Sequence, residues 1–212
     1  MTLNLETARQ WYPANDPVHG FDHIERVYRM AERLAQAEGA DWEIVRAAAL
    51  LHDIEGSHPS ENNRAGHHHQ SADIAAEILR REGWREERIV AVQHCIRAHR
   101  YRDQREPPAT LEAKVLFDAD KLDVLGAIGV VRVLGYALQS GQPAYAPPSA
   151  RFLATGEKEP GEPHSAYHEF LFKLRHVKDR LFTATARQIA SDRHTYLQDY
   201  FTRLISEIHG DS

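Results

Sequence analysis

The chain has a single cysteine, Cys95, among its 212 residues. An intrachain disulfide is therefore excluded, and the composition fits a reducing compartment. No apolar run approaches the roughly 20 residues that a helix needs to cross a bilayer. The first residues, MTLNLETARQW, have neither the basic start nor the apolar stretch of a secretory signal. These features lead us to expect a cytoplasmic protein with no membrane association. Positive charge is in the minority as well: 26 Lys and Arg stand against 31 Asp and Glu, a formal net charge of -5. A mildly acidic chain is poorly suited to broad electrostatic binding of nucleic acid. It can hold a small anion where a metal or a few basic side chains concentrate positive charge locally. Internal repeats are missing, and so are alternating apolar patterns. Neither a repeat architecture nor a sheet-rich one is expected.

Apolar residues recur instead at helical spacing. Ile24, Val27, Ala31 and Leu34 mark one face of a helix from Phe21 that Gly39 ends. Asp41 is placed to cap the next helix, with Ile44, Val45, Ala48 and Leu51 inside. That helix runs into His52-Asp53 and breaks at Gly56 and Pro59, and 56–66 reads as a polar loop. Further helices are expected over about 67–82, stopped by Gly83, and about 85–99. RYRDQREPP (100–108) is a charged loop. Another helix starts near Thr110 and runs past Asp120 into LGAIGVVRVLGYA (125–137). Glycines and prolines then accumulate over 139–163, read as one long loop, either a lid over a site or a surface insertion. Two helices follow. One carries Tyr167, Phe170, Leu171, Leu174 and Leu181, the other Ile189, Tyr196, Leu197, Tyr200, Leu204 and Ile208. The reading is all-α: a single multi-helix bundle of about seven helices over 1–212. Its core lies at about 19–135, with the 139–163 loop and C-terminal helices over 165–209 packed on it.

Within this pattern, 14 histidines raise the question of which ones converge. His52-Asp53 ends the apolar run AAALLHD, where two ionisable residues are costly to bury without partners. Alone, the dipeptide fits a solvent-facing helix end. His23 lies on the apolar stripe of its helix, where a lone histidine is more often a satisfied core residue. The helix around 115–128 is apolar nearly all round, yet it embeds Asp118, Asp120 and Asp123. Buried carboxylates need a cation or strong donors. Capping or a core salt bridge accounts for one or two of the three, so the residues alone leave open which one binds. Together the groups offer two nitrogen and two oxygen ligands, a set suited to Mn²⁺, Mg²⁺, Fe²⁺, Ni²⁺ or Zn²⁺. His94 and His99, five apart, point about 140° from one another on a helix, so only one faces a given site, and His99 is on the more apolar side. His67–His69 is either a solvated helix start or a source of one inward ring, His67 or His68.

The segments HGFDHIERV (19–27), LLHDI (50–54), VQHCIRAHRY (92–101) and LFDADKLDVLGAIGVVR (116–132) follow one another in a telling order. The set resembles the HD-domain superfamily of metal-dependent phosphohydrolases, defined by H…HD…D. It is similar to the small bacterial stand-alone HD hydrolases, which share the DADKLD-GAIG segment and the later block KLRHVKDRLFTATARQIA (173–190). The HD dipeptide alone is weak, but the ordered motifs are specific.

The resemblance implies an HD-domain-like helical bundle. His23 then matches the first metal ligand, and His52 and Asp53 the motif's pair. Asp120 matches the last ligand, because in related triphosphohydrolases and nucleotidases that aspartate precedes a lysine. Lys121 would contact phosphate, and Asp118 and Asp123 would be supporting groups. His94, His99 and His68 would serve catalysis, substrate binding or a second metal. The reaction implied is attack of a metal-activated water on a nucleotide or similar small phosphorylated substrate. The nucleotidase branch has a glutamate four after the motif histidine, where this chain has Gly56. Gly20 stands where some triphosphohydrolases have a phosphate-binding arginine. Arg26, Arg97, Arg100, Arg102 and Arg132 are the available substitutes. Two other functions are compatible with the motifs. One is a di-iron oxygenase using His23, His52, Asp53, His67 or His68, His94 and Asp120. The other is a non-catalytic metal- or ligand-binding module. A homo-oligomer is compatible with each.

Overall fold

The computed structural model describes residues 3–12, 20–55, 66–100 and 105–211. Most of the expected polar loop at 56–66 lies outside them, as does the middle of the charged loop at 100–108, including Arg102. The described residues form ten α-helices and two 3-10 helices, with no strand, in agreement with the all-α reading. They fall into two compact units.

The first unit is Met1–Asp123 with Leu181–Ala186. It contains α1 (Leu5–Ala8), a 3-10 turn (Arg9–Trp11), α2 (Phe21–Glu38), α3 (Trp42–Leu51), α4 (His67–Arg81), α5 (Glu86–Ala98) and α6 (Leu111–Leu122). Gly39, at φ 77°, ends α2 in the left-handed conformation that glycine adopts without strain. The Asp41 side chain caps α3 by accepting from the Glu43 and Ile44 amides, and Thr110 caps α6 through the Ala113 amide. Ala47 through Leu51 are all fully buried, which makes α3 the central helix, packed against α2, α5 and α6. Burying side chains such as Leu50 and Leu51 contributes about 1.5–3 kcal/mol each. The core thus seats the end of α3 firmly, and that end carries His52 and Asp53. Cys95, on α5, is buried in the same core, and burial together with Glu112 pushes its thiol pKa upward.

The second unit is Val124–Arg180 with Arg187–Ser212. It holds α7 (Gly126–Gln139), α8 (Ala150–Thr155), α9 (Ala166–Phe172), a 3-10 helix (Leu174–Arg180) and most of α10 (Ala184–His209). Three expectations are corrected. The helix expected from Thr110 into the glycine-rich stretch ends at Leu122 and restarts at Gly126, because Leu125 is extended and Gly126 has φ 68°. The segment 139–163 is not structureless. It contains α8, capped by Ser149, and the Glu162 carboxylate accepts from Ser149 N and Oγ, Glu159 N and His168 Nε2. The helix expected to reach Leu181 stops at Phe172 and continues as the 3-10 helix. No single described helix is long and apolar enough to cross a membrane.

Candidate metal centre

The C-terminal turn of α3 is braced by two side chains that take up its last carbonyls. The Tyr12 hydroxyl donates to Leu50 O at 2.8 Å, and His52 Nδ1 donates to Ala49 O at 2.9 Å. Carbonyls at a helix end lack intrahelical partners, so both bonds satisfy groups that burial would otherwise leave unpaired. A carbonyl can only accept. The His52 proton is therefore on Nδ1, and Nε2 presents a lone pair.

His99 repeats the device at the end of α5, where its Nδ1 donates to Ile96 O at 2.5 Å. His23, in the first turn of α2, donates from Nδ1 to Asp123 Oδ2 at 2.7 Å. Asp123 is held in turn by Arg26, whose Nε reaches Oδ1 at 2.8 Å and whose second terminal nitrogen reaches Oδ2 at 3.1 Å. Each of these rings has its Nδ1–H fixed by an acceptor and its Nε2 left to accept.

Those Nε2 atoms face carboxylate oxygens. His23 Nε2 is 3.5 Å from Asp120 Oδ1 and 3.9 Å from Asp53 Oδ2. His52 Nε2 is 3.7 Å from Asp53 Oδ2. His99 Nε2 and His67 Nε2 are each 3.4 Å from Asp53 Oδ1. Lone pairs set against carboxylates repel unless a cation or a proton lies between them. His52 Nε2 and Asp53 Oδ1 are buried and make no hydrogen bond among the described residues. Two ligands on one cation, with bonds of about 2.1 Å, stand roughly 3–3.5 Å apart, close to these separations. The donors sort into two groups, His23–His52–Asp120 and Asp53–His67–His99, each with its ligand atoms within 4.8 Å of one another. Asp53 has one oxygen toward each group. The residues fit a divalent cation on the chemistry of the donors and on these unpaired buried atoms.

The titration behaviour agrees with a site built for positive charge. Burial would raise the Asp53 carboxyl, but His52, His67 and His99 in their protonated form, standing where a cation would stand, outweigh it and hold the group well below the usual carboxylate range. Burial likewise opposes ionisation of Asp120, and Lys121 with His23, His99 and His52 reverses that effect. His99 is shifted downward, by burial first, against the pull of Asp53. Burial and the neighbours His69, His99, His67 and Arg100 push His68 down to about 4.

The family model for the HD domain matches residues 20–125, a span that holds every one of these donors. The chain belongs to the HD-domain family. It is 30% identical over 195 residues to the uncharacterised protein YpgQ of Bacillus subtilis, covering 91% of this chain and 85% of YpgQ. The structure of YpgQ in complex with ADP superposes with a TM-score of 0.75 at 29% identity, covering 99% of this chain and 100% of YpgQ. A Lactobacillus plantarum protein gives a TM-score of 0.77 at 28% identity, covering 97% of this chain and 94% of the other. An HD-superfamily hydrolase of Bacillus thuringiensis gives 0.69 at 28% identity, covering 97% of each chain.

The other residues singled out in this HD-domain sequence are placed as follows. Lys121 is buried, ion-paired with Asp120 Oδ2, and lies 5.4 Å from the centre of the Phe117 ring. Asp118 joins neither donor group. It accepts from the Phe182 and Thr183 amides and from the Thr183 hydroxyl, tying down the Leu181–Ala186 segment. His94 is also outside both groups, with Nδ1 on Glu106 at 2.8 Å and Nε2 accepting from the Ala109 amide at 3.1 Å. His99 is the inward ring of that pair. In the triplet, His67 joins Asp53, while His68 is buried beside it, with ring centres 5.6 Å apart. Arg97 is bound to Glu106, and Arg26 to Asp22 and Asp123. Sequence reasoning did not find Tyr12, because one aromatic residue before α2 has no spacing that links it to α3.

Proposed function

We propose that this protein is a metal-dependent phosphohydrolase acting on a nucleotide or similar small phosphorylated substrate. The observation that carries the reading is the convergence of histidine lone pairs on the Asp53 and Asp120 carboxylates. His23, His52, Asp53 and Asp120 would hold the cation. A bound divalent cation supplies a lowered pKa for water and offsets charge on phosphoryl oxygens. The chain's own groups do the positioning. Nδ1–H bonds to Asp123, Ala49 and Ile96 keep the rings aimed, and the Lys121 ammonium, ion-paired with Asp120, would contact a phosphate oxygen drawn to the same place. The ADP complex of YpgQ supports a nucleotide as the substrate class. The low cysteine content supports a cytoplasmic setting.

The test is release of phosphate or pyrophosphate from nucleoside mono-, di- and triphosphates with Mn²⁺, Mg²⁺ and Ni²⁺ added separately. We expect metal-dependent release that falls at least about 100-fold in His52→Ala and in Asp53→Ala, since even outer-shell partners of a metal are worth 10–100-fold. Activity that survives both changes refutes the reading.

The position of Asp53 between two donor groups favours a second reading, in which two cations share its carboxylate. A pair of irons there would admit oxygen-dependent chemistry in place of hydrolysis. Metal analysis separates them: two irons per chain favour the oxygenase, and a single Mn or Ni favours the phosphohydrolase. A metal-loaded protein that turns over nothing in the panel would favour a binding module.

A further inference from the structure

We propose that Arg26 is a positioning residue for the metal centre, acting through Asp123 on His23; the proposal rests on the metal-site reading above. All three guanidinium nitrogens donate to carboxylates. Nε donates to Asp123 Oδ1 at 2.8 Å, one terminal nitrogen to Asp123 Oδ2 at 3.1 Å, and the other to Asp22 at 2.5 Å. Asp123 Oδ2 also accepts from His23 Nδ1 at 2.7 Å. A single carboxylate thus receives both the fork of Arg26 and the ring proton of His23.

Geometry gives the clamp its purpose. Asp123 is the C-cap of α6, at 4% exposure, and only three residues after Asp120. His23 and Arg26 are three apart on α2, so they lie on one face and reach the same carboxylate. A carboxylate turns easily about its last bond. A fork across both oxygens stops that rotation, because two parallel donors fix a plane and one donor does not. With the plane fixed, the His23 ring is fixed, and its Nε2 stays directed at Asp120 and Asp53. The guanidinium also offsets the Asp123 charge, so a buried carboxylate can stand close to the carboxylates of Asp120 and Asp53. Arg26 is therefore engaged in shaping a ligand rather than held free for substrate phosphate.

The experiment measures Mn²⁺ affinity of the metal-stripped, full-length protein by electron paramagnetic resonance, without substrate. Circular dichroism and thermal melting of each variant report whether it folds. We expect Arg26→Met to weaken Mn²⁺ binding by about 10-fold or more and Asp123→Asn by about 10–100-fold. If Arg26 acts through Asp123, the double variant binds no more weakly than Asp123→Asn alone. Arg26→Lys keeps the charge but not the fork and should recover only part of the loss. Three results overturn the inference: a folded Arg26→Met with unchanged affinity, additive losses in the double variant, or full recovery in Arg26→Lys. His52→Ala is measured alongside. If it loses Mn²⁺ while Arg26→Met does not, this inference fails alone; if it retains Mn²⁺, the site reading fails.

Discussion

At the scale of single residues, the centre is a matter of which ring nitrogen carries a proton. Three histidines reach the same state by different means: His52 and His99 through a carbonyl three residues back, and His23 through a carboxylate a hundred residues away. The carbonyl devices are local and follow from helix ends, while the His23 device needs the tertiary fold. Tyr12 belongs to this scale as well. Tyr12→Phe removes the hydroxyl and leaves Leu50 O unpaired in a buried place, which costs about 1–3 kcal/mol. Thermal melting should show this as a loss of about 2–12 °C for a chain of this size, and a melt matching wild type would refute the role. Sequence spacing could separate His94 from His99, since about 140° of helix lies between them. It could not choose between His67 and His68, which both begin α4 and are both buried. Nor could it assign Asp118, whose partners lie more than sixty residues downstream.

Among the elements, the helices that were legible are those with an apolar stripe and a stop signal. α2 ends at Gly39 and α3 starts after Asp41, as the pattern predicts. The division of α6 from α7 was hidden because apolar residues continue across it. What breaks the helix is backbone conformation at Leu125 and Gly126, which the apolar period does not record. Gly129 shows how tight the restart is. A Cβ there would sit 2.3 Å from Val124 O, with backbone on both sides of the clash. Alanine for glycine in a helix interior ordinarily gains up to about 1 kcal/mol. Gly129→Ala should reverse that sign and lower the melting temperature by several degrees, and an increase would show that the turn before α7 can relax.

For the whole molecule, the proposed metal site, with its buried atoms unpaired among the described residues, links stability to loading. A ligand that binds only the folded state at 100 times its dissociation constant adds about 2.7 kcal/mol. Melting the protein with saturating Mn²⁺ and again after chelation should therefore show a gap of about 5–10 °C. His52→Ala should close that gap, and equal melting temperatures with and without metal would count against a site formed in the folded chain. The candidate donors come from α2, α4 and α6 and from the C-terminal ends of α3 and α5, so only the folded first unit brings them together. His23, His52, Asp53, His99 and Asp120 stand in the ordered motifs and His67 does not, while the distances among all six depend on how α2 to α6 pack.

The lone thiol has a practical consequence. Cys95 is sealed in the core, and burial keeps it in the unreactive protonated form. The native protein therefore offers a silent background for chemical labelling. A cysteine introduced at an exposed position such as Val131 or Leu153 would be the one that reacts, allowing spectroscopic probes to be installed without first removing the natural thiol.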